Sequence, residues 1–271
     1  MMESADFEYL VPKNARLRAH ISQRSNLRYV KTVLEHFDER QHTDFRNSCL
    51  RFLSEVRDLQ FSAQLIQQHI FRCIRTEKAI EIWFKVQGHL ARFGLQEYAL
   101  VMGLMCGPLP DDAAMDQVLQ KKRLKDKYFK STERISCGEL EKAFLRPSTP
   151  QADRYKLRLA LIIEGVFNAP DSHAGIELPT LSIVDMFYSH PWDRVSLGRK
   201  FVDATNKKEK AVTYTVHGFP IAMQIWAFEV IPEIGDRFAR RLGHQSPRLL
   251  SWTCTKQPQH RTYDAFFKNI K

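Results

Sequence analysis

Residues 82–107, IWFKVQGHLARFGLQEYALVMGLMCG, change hydrophobic period partway along, and that change limits the architectures open to the chain. Ile82, Phe84 and Val86 alternate with Trp83 and Lys85, Gly88 supplies a turn, and Leu90 to Phe93 return, which predicts a β-hairpin. From Leu95 the apolar positions Tyr98, Ala99, Met102 and Met105 recur at three and four residues, so a buried helix face is expected directly after the hairpin. Cys106-Gly107-Pro108 is expected to end that helix. Gly103 inside it costs about 1 kcal/mol against alanine, which predicts a close backbone approach that offsets the cost.

Helical periodicity dominates elsewhere. Leu27, Val30, Val33, Leu34 and Phe37 predict a first helix, and Phe45, Cys49, Phe52 and Leu53 predict a second that follows Asp44. Leu65, Ile66, Ile70, Phe71 and Ile74 predict a third, with Ser62 as its N-cap. Three strongly apolar helical stretches are expected later, at Tyr155–Phe167, Leu178–Trp192 and His217–Leu242. Pro220 suits a helix start and Pro232 an end or a kink. PRLLSWTCTK suggests a short strand near the C-terminal end. The expected fold class is therefore mainly α (α+β), a helical domain with a small β-hairpin packed on a buried helix. Residues 1–25 read as a lead-in, 26–255 as the helical domain, 108–150 as a charged insert within it, and 256–271 as a tail.

A chain of 271 residues with 44% hydrophobic content has enough apolar side chain for one large core or two small ones. Five widely spaced cysteines without a C-x-x-C pair fit neither a disulfide framework nor a zinc module, and suit a reducing compartment. The acidic N-terminal residues do not resemble a signal peptide, and no segment offers the roughly 18 apolar residues of a membrane span. A soluble cytosolic or nuclear protein is expected.

Candidate chemistry is sparse. Cys106, at an expected helix C-terminus, lies where the helix dipole disfavours a thiolate, so a buried structural thiol is expected rather than a nucleophile. His69 and Cys73 are spaced for two metal ligands on one helix, but no partner ligands stand at recognisable spacing, and a structural pair is expected. His190 and Asp193 of SHPWDR are as well explained by capping at Asp193 and packing of Trp192. With no Gly-rich phosphate loop, H-E-x-x-H or G-x-S-x-G, the expectation is a protein that is not an enzyme, with no metal, cofactor or small-molecule substrate.

The strongest signal is charge. Against a net charge of +10, KKRLKDKYFK gathers Lys121, Lys122, Arg123, Lys125, Lys127 and Lys130 around Tyr128 and Phe129, a pattern that offers charge to phosphates and rings to bases or to the protein body. It is also compatible with a nuclear import signal or a solvated surface. Lys207, Lys208 and Lys210 form a second cluster, and Arg237, Arg240 and Arg241 a third.

Six segments taken in order, FRNSCLRFLSEV, FSAQLIQQHIF, EIWFKVQGHLARFGLQEYALVMGLMCGPLP, KLRLALIIEGVF, DMFYSHPWDRVSLGRKF and HGFPIAMQIWAFEVIPEIGDRFARR, resemble the plant domain of unknown function DUF1985 over roughly residues 44 to 255. The hairpin followed by EYALVMGLMCG is the specific part, with Gly94 where a Ser or Thr cap is expected. The family occurs chiefly in proteins of Mutator-like transposable elements, often ahead of a SUMO-protease-like (Ulp1, C48) domain whose His, Asp and Cys segments have no counterpart here. The resemblance implies a transposon-related nuclear protein and transfers no catalytic residue. Taken with the charge, it sets the leading expectation as a noncatalytic protein that binds DNA, or RNA, through these basic clusters, with a link to transposon regulation or anti-silencing. The alternative is a protein–protein interaction module derived from a protease-containing transposon protein.

Overall fold

Asp38 caps a helix in the N-terminal part. Its Oδ1 accepts a hydrogen bond from the Gln41 amide at 2.8 Å and its own amide donates to Gln41 Oε1 at 3.3 Å, a reciprocal capping box. A computed structural model describes residues 7–269 apart from 14–15, 17–19, 58, 79–80, 87, 105–106, 109, 170–174, 191, 193–201, 208–210, 217–218, 256–257 and 259. For 20–23, 202–207, 211–216, 260 and 269 it describes the backbone alone.

Strand β1 (His20–Gln23) leads to α1 (Arg28–Leu34), which buries Val30 and Val33, and to α2 (Glu39–Arg46) behind the Asp38 cap. The helix expected after Asp44 therefore begins six residues earlier and ends at Arg46. Ser48 explains the stop: its hydroxyl donates to the Phe45 carbonyl at 2.7 Å and accepts from the Leu50 amide at 3.2 Å, local bonds that compete with helix continuation. Arg51–Ser54 then make a single 3₁₀ turn that buries Phe52 and Leu53.

Helix α3 (Ala63–Ile70) starts at Ser62 as expected, with Ser62 Oγ accepting from the Leu65 amide. It is followed by an antiparallel sheet in the order β2 (Cys73–Ile74), β3 (Ile82–Val86), β4 (His89–Phe93). The predicted hairpin is β3–β4, with Ile82 opposite Phe93, Phe84 opposite Ala91 and the turn at Gly88. Helix α4 (Leu95–Met102) follows at once, and Glu97 Oε2 accepts from the Gly94 amide at 2.9 Å. It ends three residues before the expected Cys106-Gly107-Pro108 stop, because Gly103 turns left-handed at φ 65°. A Cβ on Gly103 would stand 2.9 Å from Pro247, so this is the close approach that the sequence called for. Cys106 lies outside the described residues.

The stretch read as a charged insert contains α5 (Asp112–Gln120), α6 (Arg123–Tyr128) and α7 (Cys137–Leu145). Leu124, Ile135, Leu140, Ala143 and Phe144 from this stretch are core residues. Lysines hid that periodicity, since each of these helices buries only one narrow apolar stripe. Helix α8 (Gln151–Ile162) widens into a π turn at Ile163–Asn168, and α9 (Leu178–Ile183) runs into a 3₁₀ turn at Val184–Met186. Gly165 lets the Tyr29 ring lie against this π turn, where a Cβ would be 2.2 Å from Tyr29 Cδ2.

Strands β5 (Val202–Lys207) and β6 (Ala211–Val216) form a hairpin that the apolar pattern did not announce, and β1 adds to β6 in parallel, His20 opposite Thr213. Helix α10 (Pro220–Val230), with Pro220 at its first turn, is buried continuously from Pro220 to Phe228. A helix apolar on every side belongs at the centre of a core. Trp226 projects from it onto Phe84 and Phe93, with ring centroids 5.2 and 5.4 Å apart, so the hairpin does pack on a buried helix. Helix α11 (Pro232–Phe238), β7 (Arg240–Arg241), a 3₁₀ turn at Arg248–Ser251, β8 (Trp252–Thr253) and α12 (His260–Asn269) complete the order. The fold is mainly α with some β. The stretch read as a tail contains α12, which buries Tyr263, Phe266 and Phe267 in a core that begins at Val11.

Candidate nucleic-acid interface

Two apolar anchors fix the most basic stretch of the chain. Leu124 is fully buried and Phe129 nearly so, which leaves Arg123 and Lys127, one helical turn apart, on the rim of α6. That rim meets the first turn of α8. Arg123 Nη1 donates to Asp153 Oδ1 at 2.6 Å, and Lys127 Nζ and the Tyr128 hydroxyl both donate to Asp153 Oδ2, at 2.7 and 2.6 Å. Arg123 Nη2 continues to Asp185 Oδ1 at 3.0 Å, where Lys156 also binds.

Asp153 is the hub. Its side chain is 7% exposed, against 41% for Arg123 and 47% for Lys127, so the acid is enclosed while the outer edges of the cations face solvent. Burial alone would push the Asp153 carboxyl up. The hydrogen bonds from Lys127, Tyr128 and Arg123 outweigh it and hold the group well below the usual carboxylate range. The pairing raises Arg123 and Lys127 in turn, chiefly through the hydrogen bonds to Asp185 and Asp153 respectively. The basic stretch is thus a clamped structural element as well as a charged one.

Asp153→Asn is expected to cost about 2 kcal/mol, below the usual toll for breaking a buried pair because the partner cations can rehydrate. Urea unfolding checks this. Because Asp153 is depressed in the folded state, its contribution is complete above the ordinary carboxylate range and is lost as pH falls through and below that range. The gap between wild type and variant should close in acid and stay open at neutral pH.

The other predicted residues divide clearly. Lys121, Lys122 and Lys130 are exposed and have no side-chain partner among the described residues, and Lys122 and Lys130 hold left-handed backbone at the two ends of α6. Lys125 Nζ donates to the Lys130 carbonyl at 2.7 Å. Lys207 ends β5 opposite Ala211, while Lys208 and Lys210 lie outside the described residues. Arg237 lies over the Phe238 and Phe266 rings, and Arg241 pairs with Glu229 at 3.3 Å above the Trp252 ring. Arg240 is exposed on β7. Sequence reasoning missed Asp153, Asp185 and Lys156. An acid three residues after Pro150, in a first helical turn, was the one local sign of Asp153.

The weaker candidates fall into packing roles. Cys73 lies on β2, beyond the end of α3, so His69 and Cys73 do not share a helix face. His69 is fully buried, bonds the Leu65 carbonyl through Nδ1 at 2.8 Å, and sits edge-on to Phe84, Trp226 and Phe267. Burial pulls its pKa down to about 4 and pushes the Cys73 thiol up. His190 is buried edge-on to Trp192, whose Nε1 donates to the Phe187 carbonyl at 2.8 Å; Asp193 is outside the described residues. Among the described residues no three His, Cys, Asp or Glu side chains are grouped to hold a metal ion, and no helix is long and apolar enough to cross a membrane.

The family model of DUF1985, a domain of unknown function, matches residues 70–201. Over this stretch, just under half of the chain, the sequence is similar to that family. No curated protein and no solved structure matches the chain. The matched stretch runs from the end of α3 to just before β5, and so contains the β2–β3–β4 sheet, the α6 clamp and both of its carboxylates. Nothing in the family description points to catalysis.

Proposed function

We propose that this chain is a noncatalytic nuclear protein of transposon origin that binds DNA by its phosphates, with Lys121, Lys122 and Lys130 at the centre of the contact. One observation carries the reading: three exposed lysines with no side-chain partner among the described residues flank a short helix that Asp153 clamps, in a protein with a net charge of +10. Rigid placement lowers the ordering cost of each phosphate contact. The outward edges of Arg123 and Lys127 extend the same rim, and Arg240, Lys207, Lys208 and Lys210 are secondary contacts. Transposon origin rests on the DUF1985 resemblance, and nuclear residence follows from it.

Duplex-DNA affinity should fall steeply with salt, because each neutralised phosphate releases condensed counterions. Replacing Lys121, Lys122 and Lys130 by Gln should lower the log–log salt slope by about one per lysine. Fluorescence anisotropy across a salt series measures both. An unchanged slope in the triple variant, salt-insensitive binding, or no binding at low salt overturns the proposal.

A further inference from the structure

A second concentration of positive charge lies away from α6, between α3 and α12. There a cleft of about 350 Å³ is walled by Arg16, Gln68, Arg72, Asp264, Phe267 and Lys268. Among the described lining residues three cations stand with one carboxylate, a surplus of two positive charges. Asp264 is held by Gln68, whose Nε2 donates to Oδ1 at 2.9 Å, and none of the three cations has a carboxylate partner among the described residues.

A guanidinium carries five N–H groups. Arg72 spends both Nη1 protons on the Gln68 carbonyl and side-chain Oε1, each at 2.9 Å, and one Nη2 proton on the Phe267 carbonyl at 3.2 Å. Two donors remain, on a group whose carbon lies 4.3 Å above the Phe267 ring. Arg16 spends Nε on the Val11 carbonyl at 3.4 Å, and its Nη2 is buried with no acceptor among the described residues. Burial pulls the Arg72 pKa down to about 10, and the nearby Arg16 charge pulls in the same direction. Two guanidiniums lining one cleft, with two donors of Arg72 uncommitted, repel each other until an acceptor of opposite charge lies between them.

We infer that this cleft is a binding site for a small doubly charged oxyanion, of the phosphate or phosphomonoester class, held by Arg16, Arg72 and Lys268. Planar guanidiniums match tetrahedral oxyanions through paired donors, and the surplus of two charges matches a dianion. The volume admits a phosphate group with a small substituent but no folded segment.

Isothermal titration of the full chain with inorganic phosphate and, separately, phenyl phosphate, at matched ionic strength, tests the site. Saturable one-to-one binding is expected for both, tighter for phenyl phosphate if the ligand carries an apolar body and equal if the headgroup alone is read. Arg16→Gln and Lys268→Gln, both on the rim, should each weaken it by about tenfold, since each removes one charge-assisted contact. The Lys121, Lys122 and Lys130 triple variant should bind phosphate as wild type does, so failure here is separable from failure of the DNA proposal. Absence of saturable heat, or an affinity that neither Arg16→Gln nor Lys268→Gln changes, overturns the inference.

Discussion

Replacing Trp226 by alanine should lower the free energy of unfolding by about 4 kcal/mol, near the top of the range for removing a large core side chain. The indole is 3% exposed at the centre of α10 and touches the rings of Phe84, Phe93 and His69 together. No neighbour can close the space without shifting the β3–β4 hairpin, because all three rings belong to elements fixed by backbone bonding. Trp226→Phe should cost much less, about 1–2 kcal/mol, since a ring remains at the junction. Urea denaturation at neutral pH ranks the two. Equal losses would mean that the hairpin is held by something other than this aromatic junction.

Acidification should produce the second large effect, in a window set by His69. The ordinary value is 6.5, and burial pulls the folded value down to about 4, with Arg72 adding to the depression. The unfolded chain therefore binds one more proton than the folded chain between these values, so stability falls as pH drops from 6.5 toward 4. At roughly 1.4 kcal/mol per pH unit, the loss across the window is about 3 kcal/mol. His190, also held low by burial, contributes in the same direction. His69→Phe keeps an aromatic ring in place and removes one proton from the linkage, so its stability should depend on pH less steeply by one proton across this range. Identical pH slopes in wild type and variant would show that His69 titrates normally. The Asp153 effect lies at lower pH, which keeps the two separable.

The hairpin and the helix after it were legible because a period of two gives way to a period near four around a turn glycine, and both periods are local. Ser62 and Pro220 were legible for the same reason: a cap or a first-turn proline acts on its own neighbours. The unannounced elements have distant causes. Strand β2 is two residues long and exists through its pairing with Phe84 and Trp83. Strand β5 carries Asp203, Thr205 and Asn206, a polar composition that gains strand structure from pairing with β6. The candidate interface was visible as a run of lysines, yet its chemistry depends on Asp153, 30 residues from Arg123 in the sequence. No local rule links an acid in one helix's first turn to a basic run on another helix. That link separates Lys121, Lys122 and Lys130, which have no carboxylate partner among the described residues, from Lys127, which has one.

The position of α10 has a practical consequence for anyone dissecting this molecule. The stretch by which the family is recognised, 70–201, owns the hairpin but not the tryptophan beneath it, nor α12, whose Phe267 ring closes over His69. It is a signature rather than a portable module. Excised alone it would bare Phe84 and Phe93 to water and aggregate, so grafts, fusions and truncations should keep everything from Val11 to Phe267.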